Sequence, residues 1–329
     1  MTFLACRVNQ EDRKVSFNLE QQEEYSLAEN EVVIRIEYSG INFKDALGVT
    51  GKGKIYKQFP INAGIDCAGV IESSNDPRFT AGDKVLVNGC GLGENQDGGF
   101  AQKVKVPADW VIKMPKGLDS RSAMAMGTAG FTAALAIDLM EQKGQSPDQG
   151  PIVVTGASGG VGSFATSMLA GLGYEVIAIT GREVHRDYLL SMGASKVLSP
   201  EELELGTRPL EDARFAGVID NVGGDLLSGL IRHIDLWGNV ACIGMAADHR
   251  YQATVFPLIL RGVSLLGVSS ANCPMPRRTR VWQRIGEQLV PKNIDSIIHK
   301  EVALADITPC FDEILQRRHR GRILVNCNT

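Results

Sequence analysis

Residues 152–165, IVVTGASGGVGSFA, run from an apolar strand-like start into a glycine-rich bend and out again as a helix-like pattern. Glycines stand at 156, 159 and 162, a G-x-x-G-x-x-G spacing. Glycine at such places permits a tight turn, lets the main chain approach a pyrophosphate and lets the helix pack close to the strand. The free N–H groups at the helix start then face the phosphates. The stretch therefore reads as a dinucleotide-binding turn, with a turn that binds nothing as the alternative.

Working outward, the next strand, YEVIAIT, ends in Thr180-Gly181-Arg182. An NAD-preferring site usually carries Asp or Glu here to accept from the ribose 2′-hydroxyl. No carboxylate occupies this strand end, and Arg182 offers a charge-assisted fork to a 2′-phosphate. NADPH is the expected cofactor. Glu183 follows at once, so an Arg182 turned outward to solvent is the competing reading.

Further along, SKVLS, AGVIDNVG and NVACIG read as strands, with REVHRDYLLSM and LLSGLIRHI as helices between strands. GTAGFTAALAIDLM, before the bend, is a further helix. Such alternation predicts βαβ units and a doubly wound parallel sheet. The first third is different. EVVIRI, GIDCAGVIES and GDKVLVNG are apolar runs separated by Gly, Asp and Asn turns, and they predict an antiparallel, barrel-like unit. The tail ends in a β-rich run that is expected to return to that first unit. The chain is thus an α/β protein, with a β-rich domain over residues 1–123 and 296–329 and a dinucleotide domain over 124–295.

Its 329 residues are too many for one ordinary core and suit that division. A net charge of −4 gives no global positive field for nucleic acid. The N-terminus meets charge too early for a secretory signal, and no stretch approaches a membrane span by the uncharged-run criterion, so no membrane partner and a cytoplasmic location are expected. The seven scattered cysteines contain no C-x-x-C pair and read as buried thiols. The basic run Arg277-Arg278-Thr279-Arg280 is a candidate handle for the phosphates of coenzyme A, with a solvated helix start as the alternative.

GINFKDAL (40–47), AGIDCAGVI (63–71), GDKVLV (82–87), GTAGFTA (127–133) and GRILV (321–325) occur in this order around the late glycine turn. Together with VFPLILRGVSLLGVSS and RRTRVWQR they resemble the medium-chain dehydrogenase/reductase superfamily, in its zinc-independent quinone oxidoreductase branch and the acryloyl-CoA reductase group within it. The resemblance covers essentially the whole chain and implies a GroES-like domain joined to a Rossmann domain.

The same resemblance implies no metal, because the zinc enzymes' cysteine ligand and His-Glu pair are missing at Asn42 to Asp45 and at Ile65-Asp66. Asp66 and Cys67 are expected to serve packing and turn geometry. Asn42 is implied as a hydrogen-bond donor to the substrate oxygen and Lys44 as a positive charge, with Phe43 against the nicotinamide or its ribose. For Lys44 a structural ion pair remains the alternative. Ser158, Gly159, Gly160 and Val161 are implied at the pyrophosphate, and Thr180, Gly181 and Arg182 at the 2′-phosphate. Thr128 and Asn221 are implied as nicotinamide-side and ribose-side neighbours, Gly244, Met245, Ile259 and Ser270 near the nicotinamide half, and Arg322 as approaching the cleft, Ile259 having a core reading as its rival. VSLLGV (263–268) resembles an edge strand through which such proteins pair into a homodimer.

An activated C=C bond is the substrate class suited to hydride transfer without a Lewis acid, since the enolate formed needs only hydrogen-bond donors and a proton. Three functions stay open: reduction of acryloyl-CoA or a similar enoyl thioester, reduction of quinones or reactive enones, and an NADPH-binding protein without turnover.

Overall fold

The apolar runs of the middle third become a six-stranded sheet in the order β11-β10-β9-β12-β13-β14, every neighbouring pair parallel. These strands are β9 (Ile152–Val154), β10 (Val176–Ile179), β11 (Lys196–Leu198), β12 (Phe215–Asp220), β13 (Ile234–Cys242) and β14 (Ser264–Gly267). Their order is that of a dinucleotide-binding sheet, reversing direction at β9 and β12, where such folds take their ligand. The intervening helices are α3 (Gly160–Gly171), α4 (Arg186–Ser191), α5 (Gly224–Ile231) and α6 (Phe256–Arg261). Val153, Ile179, Val218, Leu230 and Val240 pack in this unit's core.

The computed structural model describes residues 2–12 and 14–328. It separates into two units: unit 1 is Met1–Thr128, Ser270–Gln288 and Ile294–Thr329, and unit 2 is Ala129–Ser269 and Leu289–Asn293. Unit 1 begins with β1 (Thr2–Glu11), β2 (Lys14–Glu23), β3 (Glu31–Ile41), α1 (Phe43–Val49), β4 (Ile61–Asn62), β5 (Asp66–Ser74), β6 (Lys84–Asn88), β7 (Lys103–Pro107) and β8 (Ile112–Lys113). Its later elements are α7 (Met275–Arg284), α8 (Ile294–Ile297), β15 (Ile298–Ala303), α9 (Thr308–Leu315) and β16 (Arg322–Asn326). β15-β16-β3-β5-β6-β8 form one sheet, with β7 also on β3, and β2-β1-β4 form a second. All of these pairs are antiparallel except β15 with β16. Ile34, Ile36, Val85, Phe100 and Val325 lie in its core.

The segment 270–288, counted with the dinucleotide domain from sequence, packs instead within unit 1. The cause is Arg278. Its guanidinium, with no exposed surface, donates to Asn88 O at 2.6 Å and to the carbonyls of Ser270 and Ala271, while Trp282 Nε1 donates to Asn88 Oδ1 at 2.9 Å. A buried cation needs such a set of acceptors, so α7 is tied to the end of β6.

Helix α2 (Ser120–Glu141) is broken at Gly127, whose φ is +47°. It is the one helix among the described residues long and apolar enough to cross a membrane, which corrects the expectation that no stretch comes near that length. Its most apolar window is 83% buried, as in the core helix of a folded protein.

Candidate functional site

In unit 2 the bend after β9 has the form its glycines require. Gly156 adopts φ +56°, a left-handed conformation that favours glycine. A Cβ at Gly162 would stand 2.4 Å from Gly156 O, closer than any real contact. Gly159 caps α3 with no side-chain bond, and the first bond closing onto it comes from Ser163 N–H at 2.9 Å. The amides of Gly160, Val161 and Gly162 precede that bond, so the helix start presents main-chain donors to an anion. The residues present fit a dinucleotide pyrophosphate.

Ser158 Oγ and Thr180 Oγ1 lie 3.4 Å apart, and the backbone N–H of Arg182 donates to Thr180 Oγ1 at 3.2 Å. Thr180, Gly181 and Arg182 thus stand beside the turn. Glu183 is bound to Arg186 through two guanidinium nitrogens. At the end of β12, Asn221 donates from its backbone to Thr155 Oγ1 at 2.9 Å and from its amide to Thr155 O at 2.8 Å, leaving a buried Oδ1 without a partner. Thr155 in turn donates to the buried Asp220 at 2.6 Å, whose carboxyl is pushed above its usual range by burial. This latch between β9 and β12 was not anticipated. Gly244 lies against Asn221, where a Cβ would meet Asn221 O at 2.4 Å. Met245 and Ile259 are 69% and 72% exposed, which removes the core reading of Ile259.

The other expected residues belong to unit 1, where Asn42, Thr128 and Arg322 gather around Asp66. This carboxylate has no exposed surface, yet accepts from Asn42 Nδ2 at 2.7 Å, from Thr128 N–H at 2.8 Å and from Thr128 Oγ1 at 2.5 Å. Arg322 Nη2 lies 3.6 Å from it. Arg322 Nη1 donates to Asn42 Oδ1 at 2.8 Å and to Ile41 O at 2.9 Å, and Nε donates to Ala125 O at 3.2 Å. Four residues distant in sequence, 42, 66, 128 and 322, therefore form one cluster.

Two expectations change as a result. Asn42 has no open donor, because its second hydrogen goes to Gly40 O at 3.2 Å. Asp66, assigned to packing and turns, is the anchor of the cluster. The available signal was a lone acid in an otherwise apolar β run, since an unpaired buried carboxylate is too costly to leave unbonded. Arg322, at 3% exposed, is directed into this cluster.

Asp45 in α1 is also buried. Its oxygens accept from Asn42 N–H at 2.8 Å and Ile65 N–H at 3.0 Å, and burial, followed by the nearby charge of Asp66, raises its pKa to about 7. Phe43 is 48% exposed at the start of the same helix. Lys44 takes the structural alternative and pairs with Glu94 at 2.9 Å. Ser270 belongs to unit 1, where its carbonyl holds Arg278. The phosphate-handle reading of Arg278 fails on its burial, and Arg277 beside it is half-buried.

Two family models match: an alcohol dehydrogenase GroES-like domain over residues 28–116 and a zinc-binding dehydrogenase over 160–287. The chain is 44% identical over 98% of its length, and 99% of the other's, to a probable acrylyl-CoA reductase, AcuI, of Escherichia coli. It is 42% identical, over 98% of both lengths, to a putative quinone oxidoreductase, YhfP, of Bacillus subtilis. Among solved structures, E. coli YhdH with bound NADPH superposes with TM-score 0.93 at 44% identity, covering 98% of this chain and 100% of that one. B. subtilis yhfP with NAD bound superposes with TM-score 0.96 at 42% identity, covering 99% of each. The second family's zinc does not fit the residues here. Among the described residues no three His, Cys, Asp or Glu side chains stand together to hold a metal, and Asp66 is committed to Asn42, Thr128 and Arg322.

Proposed function

We propose, on the premise that this chain belongs to the medium-chain dehydrogenase/reductase superfamily and is an oxidoreductase, that it uses NADPH to reduce a C=C bond conjugated to a thioester, with acryloyl-CoA or a similar short enoyl-CoA as substrate. The observation that carries this reading is the likeness to an acrylyl-CoA reductase across nearly the full length of both chains. NADPH, when bound, supplies a hydride from nicotinamide C4 to the β-carbon. Unit 2 holds its pyrophosphate on Ser158, Gly159, Gly160 and Val161, and its 2′-phosphate on Thr180, Gly181 and Arg182. Asn221, Gly244, Met245 and Ile259 serve the nicotinamide half.

In unit 1, Asn42 turns the hydrogen now on Gly40 O, the longer of its two bonds, onto the thioester oxygen as charge develops there. Thr128 and Phe43 bear on the nicotinamide side, and Lys44 contributes a positive charge already tempered by Glu94. Phe43 has no hydroxyl to give, which leaves water or a neighbouring group to supply the proton to the α-carbon. The coenzyme A phosphates are met by Lys52, Lys54 and Lys57, together with half-buried Arg277 but not buried Arg278. The three lysines are exposed and are the only charged residues between Asp45 and Asp66.

The rival reading, reduction of quinones, is favoured by the likeness to YhfP. NADPH oxidation with acryloyl-CoA, crotonyl-CoA, acrolein and a benzoquinone separates the readings. The expected result is the highest kcat/KM on acryloyl-CoA, and a KM for it raised about tenfold by combined Lys52→Ala, Lys54→Ala and Lys57→Ala, with benzoquinone unaffected. A benzoquinone preference transfers the assignment to the rival, and tight NADPH binding without oxidation leaves only the non-catalytic reading.

A homodimer is part of the same proposal. Among the described residues β14 is bonded on one side only, and Leu236, Trp237, Val255 and Leu260 expose apolar surface in unit 2, which suits a second copy. Sedimentation at twice the chain mass is expected. A cytoplasmic location is supported by seven cysteines that all stand free.

A further inference from the structure

The Asp66–Arg322 pair is an expensive feature for a domain core. Asp66 is fully buried and Arg322 is 3% exposed, and replacing a buried ion pair by apolar groups is often neutral or stabilising. The surrounding chain is nevertheless shaped to admit it. A Cβ at Gly40 would stand 2.4 Å from Arg322 Nη2, and one at Gly127 would stand 2.7 Å both from that atom and from Asp66 Oδ2. Gly127 is also where α2 breaks, at φ +47°. Two bare positions and a broken helix surround one buried pair.

What the pair controls is polarity at two neighbouring groups. Asp66 accepts one Asn42 hydrogen while Arg322 donates to Asn42 Oδ1, so the amide is held one way round. Flipping it would set oxygen against carboxylate and nitrogen against guanidinium. Thr128 gives its hydroxyl proton to Asp66 Oδ1, so its oxygen presents only lone pairs. We propose that Asp66 and Arg322 are positioning residues for hydride transfer, which fix Asn42 as a donor and Thr128 Oγ1 as an acceptor. This rests on the roles given to Asn42 and Thr128 under the proposed function.

The test uses the full chain. Asp66→Asn keeps the shape but offers an amide that can donate where only acceptors are needed, and Arg322→Lys keeps the charge but loses the planar fork. The expected result is a kcat on acryloyl-CoA about 100-fold lower in Asp66→Asn and about tenfold lower in Arg322→Lys. The Kd for NADPH stays within about threefold in both. In amide NMR spectra, the Asn42 side-chain hydrogens are slow to exchange in the native protein and fast in Asp66→Asn. Unchanged kcat in Asp66→Asn overturns the proposal, as does a joint loss of kcat, NADPH affinity and melting temperature in both variants, which marks mere support of the fold. If the native protein reduces no acceptor, the proposed function falls. The exchange rates then decide the pinning alone, and fast exchange in the native protein overturns it.

Discussion

The glycine turn of unit 2 and the Asp66 cluster of unit 1 handle charge by opposite means. The turn presents main-chain amides from a run of seven consecutive residues, Gly156 to Gly162, and its demand on side chains is that they be small. The cluster consists of acid, amide, hydroxyl and guanidinium side chains drawn from the N-cap of α1, from β5, from α2 and from β16, bonded to one another, with Arg322 Nη2 alone left without a hydrogen-bond partner. Main-chain donors tolerate changes of side-chain chemistry and fail on volume. A closed side-chain network tolerates little change in chemistry, since removing one member strands a buried partner.

The strongest way to break this contrast is to add volume to the turn. Gly162→Val places a Cβ 2.4 Å from Gly156 O and 2.6 Å from Ala157 Cα, both backbone atoms that cannot swing aside as a flexible side chain would. NADPH affinity, followed by the fluorescence of the bound coenzyme, is expected to fall by more than about 100-fold, the scale of losing several charge-assisted bonds. An unchanged Kd would mean that the pyrophosphate does not lie on this turn.

A second substitution sharpens the comparison at the one place where unit 2 relies on a side-chain charge. Arg182→Ala removes the fork offered to the 2′-phosphate while Thr180 and the turn remain. The ratio of kcat/KM for NADPH to that for NADH is expected to drop about 10- to 100-fold, from one charged hydrogen bond or a bidentate pair. The NAD-bound Bacillus relative makes this ratio the discriminating measurement. A native protein that already uses both coenzymes equally sinks the role given to Arg182.

The same contrast explains what could be read from sequence. Six strand runs and the glycine spacing identified unit 2 because its site is local in the chain and its signal is the absence of side chains. The order of motifs carried Asn42, Thr128 and Arg322 into the list of candidates, but not their mutual bonds. No spacing joins 42 to 66, 128 and 322; the pairing of β3 with both β5 and β16 and the break at Gly127 bring them together. Arg278 shows the reverse error. Its basic run looked like surface, and amphipathic α7 turns that one arginine inward onto Asn88 while Arg280 stays exposed.

The smallest expected effect concerns Asp45, the second buried carboxyl of unit 1. Its pKa of about 7, raised by burial and by Asp66, lies above the ordinary value of the unfolded chain, about 4. Between those values the folded protein holds a proton that the unfolded chain has released, so folding stability falls as pH rises from about 4 through 7 and then levels off. The charge of Asp66 adds to the rise, while the hydrogen bonds from Asn42 and Ile65 and the Arg322 cation oppose it. Asp45→Asn removes this titration while retaining an oxygen for one of the two backbone N–H groups of Asn42 and Ile65. Its melting temperature relative to the native protein is therefore expected to rise by roughly a few degrees between pH 5 and pH 8. A difference that stays constant across that range would show that the carboxyl is already ionised at pH 5, and that the two N–H bonds outweigh its burial.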